Sequence, residues 1–268
     1  MSSTMMTPAE LLDHQDTARL WTSATPAAPD VATAYQSQLA LRQLRQARGE
    51  VPRGFKIGFT NRGIWPRYQV FAPIWGSVWD TTLTHCESAA ALSLSGSCQP
   101  RIEPEAVFGL RATPAPDASL QDLWEAIEWV APGFEIVQSH RPDWKFTIPD
   151  TVADGGLHFR LVVGRRVPVR AVCGGAQALD ALLAGATVSL QRNGEAVDQG
   201  AGAKVLDSPL RALHHFLQEL RACPGAPDLQ PGDVVTTGTW TDAWSVSPGQ
   251  TWSASFSEPL GSLQLQLA

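Results

Sequence analysis

Two glutamates stand two residues apart in Arg101–Leu110, RIEPEAVFGL, a run that otherwise reads as a β-strand. Residues i and i+2 of a strand point to one face, so Glu103 and Glu105 would converge on a point, with Ile102 and Val107 among their apolar neighbours. Carboxylates held that close repel, and one takes up a proton unless a cation sits between them. Hard divalent cations such as Mg²⁺ or Mn²⁺ favour oxygen ligands of this kind. A third carboxylate, Glu135, falls in Phe134–Val137 (FEIV), a strand read as starting where Pro132–Gly133 ends a helix over Leu120–Val130. The pattern taken alone also fits an edge strand whose glutamates face water.

The elements that must position these groups come from a chain with 44% apolar and 17% charged residues, as in a globular protein with a sizeable core. Its net charge of −6, with no lysine/arginine block, argues against nucleic acid or an anionic membrane as partner. No apolar run approaches the ~20 residues of a membrane span. The four cysteines form no Cys-x-x-Cys pair, so zinc is not expected. Sparse cysteine without a signal peptide points to a reducing cytoplasm. Ten tryptophans imply bulky apolar surfaces in a core, a pocket or a subunit interface.

Pro8–Trp21, capped by Thr7, and Asp30–Arg48 read as helices joined by a loop over Thr22–Asp30. They form a helical N-terminal appendage (1–50) on a core (51–268), all within one domain. Phe55–Phe59 is a short strand with Lys56 facing opposite to its apolar neighbours, and Thr60–Ile74 is an irregular stretch long enough to be a binding loop or lid. Strands follow at Gly76–Leu83, Ala89–Ser95 and Phe159–Val163, with a polar turn-rich segment at Asp150–Gly156. Thr187–Asp198 is a hairpin around Asn193–Gly194. Pro209–Arg221 is an amphipathic helix, and Leu229–Gly238, Val246–Phe256 and Leu263–Leu267 are closing strands. Regular helix–strand alternation is absent. The fold class is therefore α+β: a mixed, largely antiparallel β-roll with N-terminal and peripheral helices.

In this order and spacing, GFKIGFTN, GSVWDTTL, RIEPEAVFGL, PGFEIV, DTVAD, NGEAVDQGAGAKVLDSPLRAL and LQPGDVVTTGTWT make the sequence resemble the fumarylacetoacetate hydrolase superfamily. Within it, the chain is most similar to the branch of 2-keto-4-pentenoate hydratases and 4-oxalocrotonate decarboxylases. The resemblance implies a β-roll with Mg²⁺ or Mn²⁺ held by Glu103, Glu105 and Glu135, and a 2-keto acid chelating the ion through its carboxylate and 2-oxygen. It implies that Lys56 pairs with the substrate carboxylate or assists proton transfer, and that Asp80 takes part in proton transfer or orients water. Asp80 also fits a simple turn cap. Thr239 falls where the family carries a hydroxyl beside the substrate, and Asp150 would shape its loop. A homo-oligomer is expected on the same ground.

The chain departs from the family pattern after Asp154, where Gly155, Gly156, Leu157 and His158 replace an asparagine and a small polar residue, and past Thr239, where it carries Trp240, Asp242, Ala243 and Trp244. Asp154, His158, Thr239 and Trp240 are accordingly expected around the substrate, with His158 a candidate proton-transfer group. A structural role for His158 fits its apolar strand equally. The resulting expectation is a metal-dependent lyase that hydrates a 2-hydroxy-2,4-dienoate to a 4-hydroxy-2-oxo acid. Decarboxylation of a 2-oxo dicarboxylate and hydrolysis of an acylpyruvate are the rival reactions, and a non-catalytic ligand-binding paralogue is the rival of another class.

Overall fold

Thr7 opens the first helix, α1 (Pro8–Thr17). Its hydroxyl accepts from the Glu10 N–H, and the Glu10 carboxylate accepts from the Thr7 N–H, closing a capping box. Asp30 caps α2 (Val31–Ala47) through the Thr33 N–H. The computed structural model describes residues 5–21 and 27–268, so part of the loop expected over Thr22–Asp30 lies outside the described residues. Strands then dominate: β1 (Pro52–Gly58), a short helix α3 (Trp65–Tyr68), β2 (Ile74–Trp79), β3 (Leu83–His85), β4 (Ala89–Leu92) and the long β5 (Arg101–Leu110). Next come α4 (Leu120–Ala126), β6 (Ile127–Val137), α5 (Ile148–Ala153), β7 (His158–Val163), β8 (Val167–Pro168), α6 (Val169–Val172) and α7 (Ala176–Gly185). The chain closes with the hairpin β9 (Thr187–Arg192) and β10 (Glu195–Ala201), α8 (Pro209–Ala222), β11 (Val234–Thr236), β12 (Trp244–Ser245), β13 (Thr251–Phe256) and β14 (Ser262–Leu267).

The larger sheet runs β2-β1-β11-β5-β6-β7-β3, with β12 also on β5 and β8 on β6. The smaller runs β10-β9-β13-β14-β4. Only β1–β11, β3–β7 and β14–β4 pair in parallel, so the mixed, largely antiparallel roll expected from the sequence is what the described residues form. Strand alternation divides the larger sheet into two faces. Phe55 and Ile57, Ile102, Ala106 and Phe108, and Val130, Phe134 and Ile136 enter the main core with Leu213 and Phe216 of α8 and Leu265 of β14. The opposite face carries a small separate core of Val78, Val107, Trp129, Ala131, Leu161, Val163 and Val234. Farther along that same face stand Lys56, Glu103, Glu105 and Glu135.

The strand expected at Gly76–Leu83 is broken by a turn between β2 and β3, those at Leu229–Gly238 and Val246–Phe256 shorten to β11 and β13, and three further expectations change. The helix read over Leu120–Val130 stops at Ala126, and β6 starts at Ile127 and runs through Pro132–Gly133. Because β6 is buried on both faces, its apolar residues show no alternation to distinguish strand from helix. Asp150–Gly156 is not simply turn: Thr147 and Asp150 form a capping box that starts α5. The sequence reading made no helix of Ala176–Gly185, yet α7 buries Leu179 and Leu183 in the main core. The hairpin stands as expected, with Asn193 and Gly194 both at positive φ.

Candidate metal centre and active-site cleft

Register builds the site. On β5 and β6, Glu103 lies directly opposite Glu135, and Glu105 opposite Gly133. Opposed residues of an antiparallel pair share a face, so three carboxylates meet at one spot. Each offers an oxygen, and the three oxygens lie within 4.8 Å of one another. Beside β5 the ladder is interrupted. On the edge away from β6, β12 pairs Arg101 and Ile102, β11 pairs Val107–Gly109, and no described strand pairs the residues between. Pro104 falls in this gap, where its missing N–H faces no strand and its carbonyl accepts from the Trp240 N–H at 3.1 Å.

The chain crossing the gap holds Glu105. Its Oε2 accepts from the Thr237 N–H at 3.0 Å and the Gly238 N–H at 2.7 Å. Gly238 has φ +92°, and a Cβ there would stand 1.9 Å from the Thr60 hydroxyl oxygen, so only glycine fits. Glu135 Oε1 accepts from His158 Nδ1 at 2.8 Å, and its Oε2 lies 3.1 Å from Lys56 Nζ. Lys56 also donates to the Gly156 carbonyl at 2.9 Å. Gly156, at φ +71°, lets that carbonyl approach: a Cβ would meet Lys56 Cδ at 2.9 Å.

These groups perturb one another. Burial, and then the neighbouring Glu135 and Glu103, push Glu105 well above the usual carboxylate range. Burial raises Glu103 to about 7, with Glu135 adding to the rise and Lys56 opposing it. Burial would raise Glu135 too, but Lys56 and the His158 hydrogen bond hold it below its usual value. Burial would lower Lys56, yet the three carboxylates hold its ammonium above the usual range. Burial holds His158 below its usual value, so its imidazole is neutral. Among the described residues, Glu105 Oε1 and Glu135 Oε2 are buried with no hydrogen-bond partner. Three converging carboxylates with two such orphaned oxygens fit a hard divalent cation.

Glu103 opens the carboxylate cluster onto a cleft of about 500 Å³, with Glu105 and Glu135 buried beside it. Phe59, Tyr68, Trp144, Phe146 and Trp244 give it aromatic walls, and Lys56, Glu103 and Thr239 reach into it. The stretch read as a binding loop supplies Ile64, Arg67 and Tyr68. Arg101, two residues before Glu103 on the same face, also lines the cleft with its guanidinium 4.1 Å over the Trp144 ring. Sequence reasoning passed over Arg101, although the strand period that paired Glu103 with Glu105 reaches it as well. The Thr237 and Gly238 amides were also missed, because backbone donors leave no side-chain signature.

The structure brings Lys56, Glu103, Glu105, Glu135 and Thr239 together, and leaves four other candidates out of the cleft. Asp80 is exposed outside the cleft, where its carboxylate accepts from the Val51 and Thr81 N–H groups as a turn cap. Trp240 is fully buried against Phe256, because the loop that sends its N–H to Pro104 turns its ring into the main core. Asp154 is buried against His140, 2.7 Å from Nδ1. His158 sits behind Glu135, between it and Thr82, and does not line the cleft. The Thr239 hydroxyl donates to the Thr241 carbonyl at 3.2 Å. Asp242 is paired with Lys204 at 3.4 Å on the cleft wall. None of the ten tryptophans is exposed; they fill cores and the cleft wall.

The family model for the fumarylacetoacetate hydrolase C-terminal region matches residues 78–268. A 2-hydroxyhexa-2,4-dienoate hydratase of Comamonas testosteroni is 34% identical over 210 residues, covering 78% of this chain and 76% of that protein. A 4-oxalocrotonate decarboxylase of a Pseudomonas species is 30% identical over 219 residues, covering 82% and 80%. Among solved structures, the 4-oxalocrotonate decarboxylase from Pseudomonas putida G7 complexed with magnesium and adipate is similar with a TM-score of 0.86. It shows 26% identity, over 97% of this chain and 95% of that one. The fold, the register that gathers the three glutamates and these relatives agree: the chain belongs to the fumarylacetoacetate hydrolase C-terminal family.

Proposed function

We propose that this chain is a divalent-metal-dependent lyase that hydrates a small 2-hydroxy-2,4-dienoate to a 4-hydroxy-2-oxo acid. The observation that carries the reading is the convergence of Glu103, Glu105 and Glu135 within 4.8 Å, beside a charged Lys56, where Glu103 and Lys56 line a cleft sized for a small acid. The named hydratase and decarboxylase relatives and the magnesium-bound neighbour support it. Glu103, Glu105 and Glu135 would hold Mg²⁺ or Mn²⁺. A cation held there supplies Lewis-acid polarisation to the carboxylate and 2-oxygen of a 2-oxo acid. Lys56 Nζ has three N–H donors, one of which meets the Gly156 carbonyl while the ammonium lies 3.1 Å from Glu135 Oε2, so donor capacity remains for a substrate oxygen. The aromatic walls suit a flat conjugated chain and keep water from its faces. The 2-hydroxyl loses its proton as C5 gains one, giving the 2-oxo group, and water then adds across the C3–C4 double bond, hydroxyl at C4 and proton at C3, for a net gain of one water. Four free cysteines suit work in the cytoplasm.

One observation favours a second reading, decarboxylation of a 2-oxo dicarboxylate. Arg101 makes no ion pair among the described residues, and its buried Nε has no partner. A second carboxylate at the far end of the substrate would find that guanidinium. Asp242 on the cleft wall, a charge that would repel a second anion, lies 3.4 Å from Lys204. The experiment is a panel of 2-hydroxypenta-2,4-dienoate, 4-oxalocrotonate and an acylpyruvate, with Mg²⁺ or with chelator, products read by mass. Metal-dependent gain of water by the dienoate supports hydration. Loss of carbon dioxide from the dicarboxylate as the faster reaction moves the assignment to decarboxylation. Turnover of none of the three removes both readings.

A further inference from the structure

Along β7, Val162 points into the main core, while Leu161 and Val163 point to the face that carries the carboxylates. Unbroken alternation would send His158 to the core side with Val162. The strand instead holds an extra residue. Ile136 of β6 opposes Arg160 and the next residue, Val137, opposes His158, so Phe159 has no opposite number. This β-bulge turns Phe159 into the main core and brings His158 round to the face of Glu135.

Both ring nitrogens are then engaged. Nδ1 lies 2.8 Å from Glu135 Oε1, and Nε2 lies 2.8 Å from the Thr82 hydroxyl oxygen. An ionised carboxylate only accepts, so Nδ1 carries the hydrogen and Nε2 accepts from Thr82. Thr82 is itself fixed, because its oxygen takes the Trp79 N–H at 3.0 Å. The three carboxylates are thus fastened in different ways. Glu105 is held by two backbone amides, and the Glu103 side chain has no hydrogen bond among the described residues. Glu135 is set between Lys56, which also faces the cleft, and His158, which does not.

We infer that His158 is a positioning residue: delivered by the β7 bulge and anchored by Thr82, it orients Glu135 for the divalent ion and thereby sets the metal affinity of the site. This rests on the metal reading above. It also gives the chain's departure from the family pattern after Asp154 a purpose other than proton transfer.

The test measures Mn²⁺ affinity by electron paramagnetic resonance on the full chain, without substrate, with metal-free melting as the check on folding. In His158→Asn the amide nitrogen sits near the place of Nδ1, whereas in His158→Gln it sits near Nε2. His158→Ala and His158→Gln should bind Mn²⁺ roughly 10–100-fold more weakly, and His158→Asn within about threefold of the parent. Thr82→Val keeps the imidazole but removes its anchor, and should weaken binding several-fold even if the alanine variant does not fold. Parental affinity in the alanine, glutamine and valine variants, or an asparagine variant as weak as alanine, overturns the inference. Absence of Mn²⁺ binding by the parent chain instead removes the metal reading, and this inference with it.

Discussion

A buried carboxylate at the metal site costs stability until an ion arrives. Glu105 is fully buried and pushed well above the usual carboxylate range by burial and by Glu135 and Glu103. Without metal it therefore folds best protonated, and glutamine copies that form in shape. Glu105→Gln should leave the metal-free melting temperature unchanged or higher, while losing most of the rise that Mg²⁺ or Mn²⁺ gives the parent by mass action. Melting curves with and without metal check this; a variant that still gains the parental rise would exclude Glu105 as a ligand. At this scale the sequence was partly legible. The two-residue spacing of Glu103 and Glu105 reports their shared face directly. Asp80 and Trp240 were not legible, because a turn cap and a core tryptophan look the same in sequence as groups that reach a cleft. His158 was hidden by the bulge, an extra residue that reverses the facing implied by alternation.

At the scale of elements, the site depends on an interruption. β5 is paired along both ends of one edge and left open between them, and the segment after β11 crosses that opening to give two amides to Glu105. Gly238 makes the crossing possible. Gly238→Ala sets a side chain at positive φ against the Thr60 hydroxyl and should destabilise the fold by ~2 kcal/mol or more. It should also weaken metal binding by displacing the donors on Glu105. Denaturant midpoints and Mn²⁺ titration read the two effects. Unchanged values in both would show that the crossing segment does not hold the ligand. The hairpin at Asn193–Gly194 and helices α1, α2 and α8 were readable because caps, turn pairs and amphipathic spacing are local signals. The start of β6 was not, because a strand buried on both faces carries no period.

Across the whole molecule, the N-terminal segment is tied to the back of the site by a buried polar network. The Trp21 N–H donates to the His140 carbonyl at 2.7 Å, and its ring stacks on the imidazole. His140 pairs with Asp154, and Arg141 with Asp150. Burial would lower the His140 pKa, but Asp154 and contact with Cys98 raise it to about 10. A raised folded-state pKa contributes stability that is fully present below the unfolded value near 6.5. That contribution is lost as pH rises toward 10. The parent should therefore lose unfolding free energy between these limits, and Asp154→Asn should flatten that slope. Urea unfolding at pH 6, 8 and 10 checks it, and parallel slopes for the two proteins would contradict it. None of these tertiary pairings was visible in sequence, since partners on different elements leave no spacing to read.

The central claim joins the three glutamates to catalysis, and one measurement tests it directly. Chelator-treated protein is titrated with Mn²⁺, and bound ion and rate on the preferred acid are read from the same samples. The account predicts one ion per chain, with turnover absent in chelator and rising in step with occupancy. Turnover that persists in chelator, or an ion that binds without changing the rate, would contradict it.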